Sequence, residues 1–467
     1  MTASSTLSPA PGCIDTSDRE MDPRAILSPR RLDVVVKYLF FLALIENRDV
    51  AIYEKLYRKH IELRTGGAEK RDASNGRLSE KRSVDDYVAA CHALLHSMRT
   101  NGFQDKHAIP LGVDGSLLNG AHRLACALAL GLRIAVERMP MSGPGWGFDW
   151  FVQREFSAAE LSLVLGGWCT LLPEKTTCFI LWAAVEPQWR ALQSALGQIF
   201  DFVGAVDFEF SERVHYASVI QDIYSFETTR AVLPSIDRKI AELELFAPKF
   251  RMVVLRNRSD TLTTSIVTKQ TKQHLRKALH GRIAEEKFVT CHSSDSTPEL
   301  QYLSRVLLDP RNTRWFPYRS RSMPRLEMLR WVESLKIEMS KRGIPIEDCC
   351  VVGSSTLEVF GIRNSTDLDF TLKSKWRYEK FNSGITKVNE MLDVVTAGYH
   401  RVHAPRVAVS DDELVADSRH HFLFRGVKFA NLNIVADRKD FSRRPKDVAD
   451  VQLITPVLED WRGRLGS

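Results

Sequence analysis

The chain predicts an α+β multidomain protein, on three observations. Its 467 residues are about three times the length of an ordinary domain. Short apolar runs with strand-like alternation are interleaved with stretches at helical spacing. Two clusters interrupt that pattern, Met139-Pro140-Met141-Ser142-Gly143-Pro144-Gly145-Trp146-Gly147 and Arg311-Asn312-Thr313-Arg314-Trp315-Phe316-Pro317-Tyr318-Arg319. Read as loop and linker, they divide the chain into domains over 31–150, 175–312 and 325–460. Apolar residues make up 44% and charged residues 26%, enough for several cores. A net charge of +7 suits phosphate-bearing ligands, and no segment reads as a dedicated nucleic-acid arm. Eight scattered cysteines without Cys-x-x-Cys pairs point to a reducing, cytoplasmic setting with neither a zinc site nor a disulfide framework.

Residues 1–30 are rich in Ser, Pro, Asp and Thr and lack an apolar signal core, so a disordered leader is expected. The run Val34 to Ile45 is apolar except for Lys37 and falls short of the roughly 20 residues a membrane span needs; it predicts a buried helix. Ser83 to Phe103 has helical spacing. Beyond it, Val113-Asp114-Gly115-Ser116-Leu117-Leu118-Asn119-Gly120-Ala121-His122-Arg123 predicts extended pieces, a turn and a helix starting near Ala121. Gly120 would supply the unusual dihedrals, with His122 and Arg123 in the first helical turn, where an anion is held. The same residues also suit an ordinary solvated helix start. This stretch resembles the ParB/sulfiredoxin superfamily, with Asn119 where that family has Asp. The resemblance implies a phosphate site around Gly120, His122 and Arg123. DNA binding is not expected, since the region after Trp146 carries little positive charge.

In the middle region, Thr177–Trp182, Ala205–Phe210 and Phe250–Leu255 read as strands, and Trp189–Phe200 and His215–Tyr224 as helices. His292-Ser293-Ser294-Asp295 follows, with Glu299 four residues on. From the residues alone, His292 and Asp295 fit a helix-capping turn. The order of elements and the late histidine resemble nucleoside-diphosphate kinases, which implies a ferredoxin-like sheet. In that case His292 would be a phosphoryl-carrying nucleophile, Glu299 a supporting acid, and Lys272 or Arg276 phosphate clamps. Ala183-Ala184 and Val289 stand where that family has a lysine and an asparagine.

Near the C-terminus, Val351-Val352-Gly353-Ser354-Ser355 predicts a strand turning into a helix, and Asp367-Leu368-Asp369 a second strand. Alternation puts Asp367 and Asp369 on one face, where their repulsion calls for a divalent cation; Mg²⁺ (or Mn²⁺) is the natural candidate. Alternatively, Asp367 caps a turn while Asp369 pairs with Arg363. Gly-Ser, a spacer of about a dozen residues and Asp-x-Asp resemble the DNA polymerase beta-type nucleotidyltransferase superfamily. Arg443-Arg444-Pro445-Lys446-Asp447-Val448-Ala449-Asp450 looks like the helix start of many of its bacterial members. That likeness implies metal ligation by Asp367 and Asp369 and nucleotide contacts from Gly353, Ser354, Ser355, Lys428, Arg443 and Lys446. It also implies a third acid on a later strand, and His421–Ile434 contains none.

All three resemblances concern phosphate or nucleotide handling, and their combination resembles multidomain proteins of bacterial surface-polysaccharide loci. The expected activity is Mg²⁺-dependent transfer from a nucleoside triphosphate to a small-molecule or glycan acceptor. The alternatives are a phosphotransferase built on the first two domains and an inactive nucleotide-binding regulator.

Overall fold

A computed structural model describes residues 20–66, 73–74, 77–78, 81–104, 107–227, 233–279, 289–319, 326–381, 387–395 and 409–465. Most of the expected leader lies outside these residues, but its last part is ordered into the fold. Strand β1 (Glu20–Met21) pairs with Ile134 and Ala135. The chain forms two compact units, residues 1–156 and 157–467.

In the first unit, the apolar run becomes helix α1 (Asp33–Glu46), with Val34, Val35, Val36, Phe40 and Phe41 fully buried. Lys37 is tolerated at 1% exposure because its Nζ lies 2.8 Å from Asp33 one turn earlier. Helix α2 (Val50–Thr65) follows. Helix α3 (Val84–Asn101) starts at a reciprocal Ser83/Asp86 capping box. Strands β2 (Ile109–Gly112) and β3 (Ile134–Met139) run parallel, joined by helix α4 (Ala121–Leu130), and β1 completes the order β1-β3-β2. Among the described residues no helix is long and apolar enough to cross a membrane.

The second unit opens with helix α5 (Ala158–Leu171) and holds two sheets. The first contains β4 (Thr176–Trp182), β5 (Phe200–Glu209), β6 (Lys249–Asn257) and β7 (Cys291–Ser293), in the order β5-β6-β4-β7 with every neighbour antiparallel. Hence β4 and β5 run parallel with β6 between them, and β6 and β7 run parallel with β4 between them. The crossovers pass through α6 (Trp189–Ile199) and α9 (Thr264–Leu279), while α7 (Arg213–Tyr224) and α8 (Leu233–Leu243) lie between β5 and β6. One face buries Phe179, Leu181, Leu192, Leu196, Val253 and Cys291 together. Helix α10 (Thr297–Leu307) follows β7.

After helix α11 (Leu326–Lys341), the second sheet is built from β8 (Cys349–Val352), β9 (Leu368–Leu372), β10 (Leu392–Val394), β11 (His421–Phe424) and β12 (Val427–Ala430). Its order is β10-β9-β8-β12-β11. Strand β8 runs antiparallel to β9 and parallel to β12, and β9 runs parallel to β10. A two-residue turn, Arg425-Gly426, joins β11 to β12 with both residues at positive φ, as the twist of a tight hairpin favours.

The segment 311–319, expected as a linker, is a packed joint between the two sheets. Trp315 is fully buried and stacks on Trp461 at 4.9 Å. Arg319, also fully buried, ion-pairs with Asp222 of α7 and donates to the carbonyl of Leu423. Asp222 also accepts from the backbone N–H of Arg425 at 2.6 Å. Aromatic area and a buried ion pair therefore take the place of the expected linker. Removing one partner of a buried ion pair costs about 3–5 kcal/mol. Arg319→Met is expected to lower the unfolding free energy of the second unit by about that much in urea titration, and adding Asp222→Asn to recover part of it. An unchanged midpoint for Arg319→Met would refute the importance of this pair.

Candidate active site

Gly353 ends β8 at φ +74, a conformation that side chains rarely adopt. A Cβ there would lie 2.9 Å from Asp369 Oδ2, so the glycine is needed for space as well. Strand register does the rest. Val352 pairs with Asp369 across the antiparallel ladder, and Asp369 pairs with Asp393 across the parallel one. Asp367 lies two residues before Asp369 and shares its face. One oxygen from each of Asp367, Asp369 and Asp393 falls within 4.8 Å of the others.

Asp393 is an acid beside this pair that the sequence did not reveal. The strand searched for one, within 421–434, belongs to the β11–β12 hairpin on the other side of β8, whereas Asp393 lies on β10 next to β9. The signal present was Leu392-Asp393-Val394-Val395, a single acid inside a short apolar run. Asp393 Oδ1 is buried without a hydrogen-bond partner among the described residues. Burial, and after it the charges of Asp367 and Asp393, push the Asp369 carboxyl up to about 6. Burial is also the main cause raising Asp393. Carboxylates this close, with an unsatisfied oxygen, fit a hard divalent cation that takes oxygen ligands at about 2.0–2.6 Å.

A cavity of about 610 Å³ opens over the cluster, and Gly353, Ser354, Arg438, Lys439, Arg444 and Lys446 contribute to its wall. The acids of the 443–450 motif stay out of the aspartate cluster and hold two of these cations instead. Lys439 Nζ lies 3.0 Å from Asp447 and 2.6 Å from Asp450, and Arg444 pairs with Asp447. Arg363 makes a two-pronged pair with Asp450, which sets aside the Arg363–Asp369 pairing. Arg438, Lys439 and Arg444 were missed in the sequence because basic residues on a helix ordinarily read as a solvated face.

The other expected residues divide. Ser354 and Lys446 line the cavity. Ser355 is fully buried, and its Oγ donates to the Asp367 carbonyl at 2.7 Å, so it fixes the turn before β9 and does not face a phosphate. Lys428 is also misassigned, since its Nζ is bound by the carbonyls of Glu347 and Val415. Arg443 terminates helix α12 (Leu432–Ser442) at positive φ and reaches back to the Asp440 carbonyl, while its neighbour Arg444 enters the cavity.

His292 does not fit a phosphoryl acceptor. It pairs with Ile180 in the sheet, is 1% exposed, and packs edge-on against Tyr224 at 4.9 Å. Its Nε2 lies 3.1 Å from Glu299 Oε1, so the expected partners do meet, but in the interior. Lys272 pairs with Asp295, and Arg276 donates to the Cys291 carbonyl. The cap of α10 is Ser296, not Asp295. In the first unit, Gly120 caps α4 at φ +83, and His122 Nε2 lies 2.8 Å from the Tyr57 hydroxyl. Arg123 turns away from His122 to the carbonyls of His107 and Ala108, so those two side chains do not share a site.

Comparison with protein-family models, curated proteins and solved structures gives no match.

The raised Asp369 carboxyl carries a sign for stability. Its folded value near 6 exceeds the ordinary value near 3.9, so the folded state holds the proton more tightly. That advantage is complete below about pH 4 and is lost as pH rises through about 6. Without divalent metal, the chain is expected to lose on the order of 1–3 kcal/mol between pH 4 and 7 through this group, at 1.36 kcal/mol per pKa unit. Asp369→Asn is expected to flatten that part of a stability–pH profile and to raise the melting temperature at pH 7.5. Identical profiles for the two proteins would contradict this.

Proposed function

We propose that the second unit is a Mg²⁺- or Mn²⁺-dependent nucleotidyltransferase acting on a hydroxyl of a small-molecule or sugar acceptor. The observation carrying this reading is Asp393, which joins Asp367 and Asp369 in lining a cavity that Arg438, Lys439, Arg444 and Lys446 also line. Carboxylates and cations lining one cavity of about 610 Å³ suit a ligand that is anionic and arrives with its own divalent ion. The β8–β9–β10 arrangement, with Gly353-Ser354 before the first acid pair, supports assignment of this sheet to the nucleotidyltransferase fold. The strand order β5-β6-β4-β7, with two interleaved crossovers, likewise supports a ferredoxin-like middle domain. For the first unit, the β2–α4–β3 crossover with Gly120 at the helix start supports a ParB/sulfiredoxin-like domain.

In this reading Asp367 and Asp369 hold the cation, which would stabilise charge on the α-phosphate during in-line displacement. Gly353 lets the triphosphate approach the backbone, and Lys446, Arg444 and Lys439 offset its charge. The acceptor oxygen forms a bond to the α-phosphorus, the α–β phosphoanhydride bond breaks, and pyrophosphate leaves with the electron pair. The hydroxyl proton passes to Asp393, whose raised pKa is the direction a general base needs near neutral pH. Burial of His292 removes support from phosphoryl transfer through the middle domain, and Asp393 weakens the inactive-binder alternative.

The test is Mg²⁺-dependent transfer from α-³²P- and γ-³²P-labelled nucleoside triphosphates to sugar or protein acceptors. Label is expected from the α-position only. Asp367→Ala, Asp369→Ala and Asp393→Ala are each expected to reduce transfer by about 10³-fold, the loss of about 4 kcal/mol of transition-state stabilisation. Transfer from the γ-position that survives these changes would overturn the assignment, as would α-transfer insensitive to Asp393→Ala.

A further inference from the structure

A second cavity, about 610 Å³ in volume, lies wholly within the first unit, and nothing about it depends on the nucleotidyl-transfer reading. Its size falls within the range of about 300–1,000 Å³ usual for small-molecule sites. Leu94 and Met98, one turn apart on α3, give it an apolar wall, with Phe103 from just beyond that helix and Met139 from β3. Met139 stands two residues from Glu137 on one face of β3, so the strand that brings the thioether also brings a carboxylate. Arg123, from the first turn of α4, supplies a cation. Among the described residues lining the cavity, these two are the only ones drawn from Arg, Lys, Asp and Glu.

Arg123 is fixed before any ligand arrives. Its Nη1 donates to the carbonyls of His107 and Ala108. A Cβ at Gly120 would lie 3.0 Å from its Nη2, so the glycine at the head of α4 leaves the space that the guanidinium takes. Nε and Nη2 make no hydrogen bond among the described residues, and no carboxylate there pairs with the group. Burial, with no acid to offset it, lowers the pKa of Arg123. Glu137 likewise has no cation partner among the described residues.

The strands fix how far apart the two charges stand. Ala108, whose carbonyl Arg123 holds, is two residues before Pro110, and Pro110 pairs with Glu137. At about 3.3 Å per residue along a strand and about 4.8 Å between strands, the backbone at 108 and at 137 is about 8 Å apart. That is within reach of the two ends of one small molecule. We propose that this cavity binds an α-amino acid with a large apolar side chain. Arg123 takes the carboxylate, Glu137 the ammonium group, and Leu94, Met98, Phe103 and Met139 the side chain. Such a ligand pairs both charges at once by charge-assisted hydrogen bonds. The phosphate expected from the sequence around Gly120 would instead meet the like charge of Glu137.

The test is calorimetric titration of the full chain with L-phenylalanine, L-tryptophan, glycine, phenylalanine methyl ester, N-acetyl-phenylalanine and inorganic phosphate. Phenylalanine and tryptophan are expected to bind, and glycine, which has no apolar body, to bind far more weakly. The methyl ester lacks the carboxylate and the acetylated form lacks the ammonium group. Each is expected to bind about tenfold or more weakly than phenylalanine, the scale of one charge-assisted hydrogen bond. Arg123→Gln is expected to erase the difference between phenylalanine and its methyl ester. Glu137→Gln is expected to erase the difference between phenylalanine and its acetylated form. Should Arg123→Gln fail to fold, having lost its hold on the backbone at 107–108, the two modified ligands and Glu137→Gln decide the matter. The proposal is overturned by absence of binding at millimolar phenylalanine or tryptophan, or by equal affinity for glycine. Equal affinity for either modified ligand would also overturn it, as would phosphate displacing phenylalanine through Arg123.

Discussion

Electrostatic repulsion among Asp367, Asp369 and Asp393 is the constraint around which the second unit is organised. Left to themselves, three carboxylates would move apart, and each is fixed by something that cannot easily yield. Asp369 is locked between Val352 and Asp393 by register on both sides. Asp367 is held through its own carbonyl by the buried Ser355 hydroxyl. Ser365, just upstream, is bound through its N–H and hydroxyl by Glu358, both at 2.7 Å. The sheet thus accepts a local electrostatic penalty, and backbone hydrogen bonding sustains it.

A second layer of charge surrounds the first with the opposite logic. Asp447 and Asp450 are as buried as any acid in the unit, yet they are saturated by Lys439, Arg444 and Arg363. Their role is orientation, because a long basic side chain loses little further freedom on meeting a ligand once it is already tethered. The cavity wall is therefore prearranged without a ligand. Lys439 and Arg444 are thus braced by carboxylates before any ligand arrives.

How much of this was legible depended on the distance over which the information is written. Asp367 and Asp369 sit two residues apart on one strand, and Gly353 ends the strand before them, so local alternation and turn chemistry were enough. The same holds for the strands and helices of the middle region, whose apolar periodicity survives nearly unchanged in the fold. Asp393 was hidden because its partnership with Asp369 exists only across strands, and a three-residue strand leaves almost no periodic trace. His292 was misread for a related reason: alternation gives two faces but does not say which one helix α7 covers. The segment 311–319 read as a linker because its packing partners, Asp222 and Trp461, lie far from it in the sequence and leave no local trace.

That joint bears on how this chemistry could be carved out of the chain. A fragment begun at residue 326 would keep the second sheet and every residue of its cavity. It would also leave Trp461 without Trp315 to stack on, and the turn at Arg425 without the carboxylate of Asp222 that receives its N–H. The strand feeding Gly353 is hydrogen-bonded to the strand leaving that turn. A cut between the two sheets would therefore strip the hairpin beside β8 of contacts that α7 and the 311–319 segment supply.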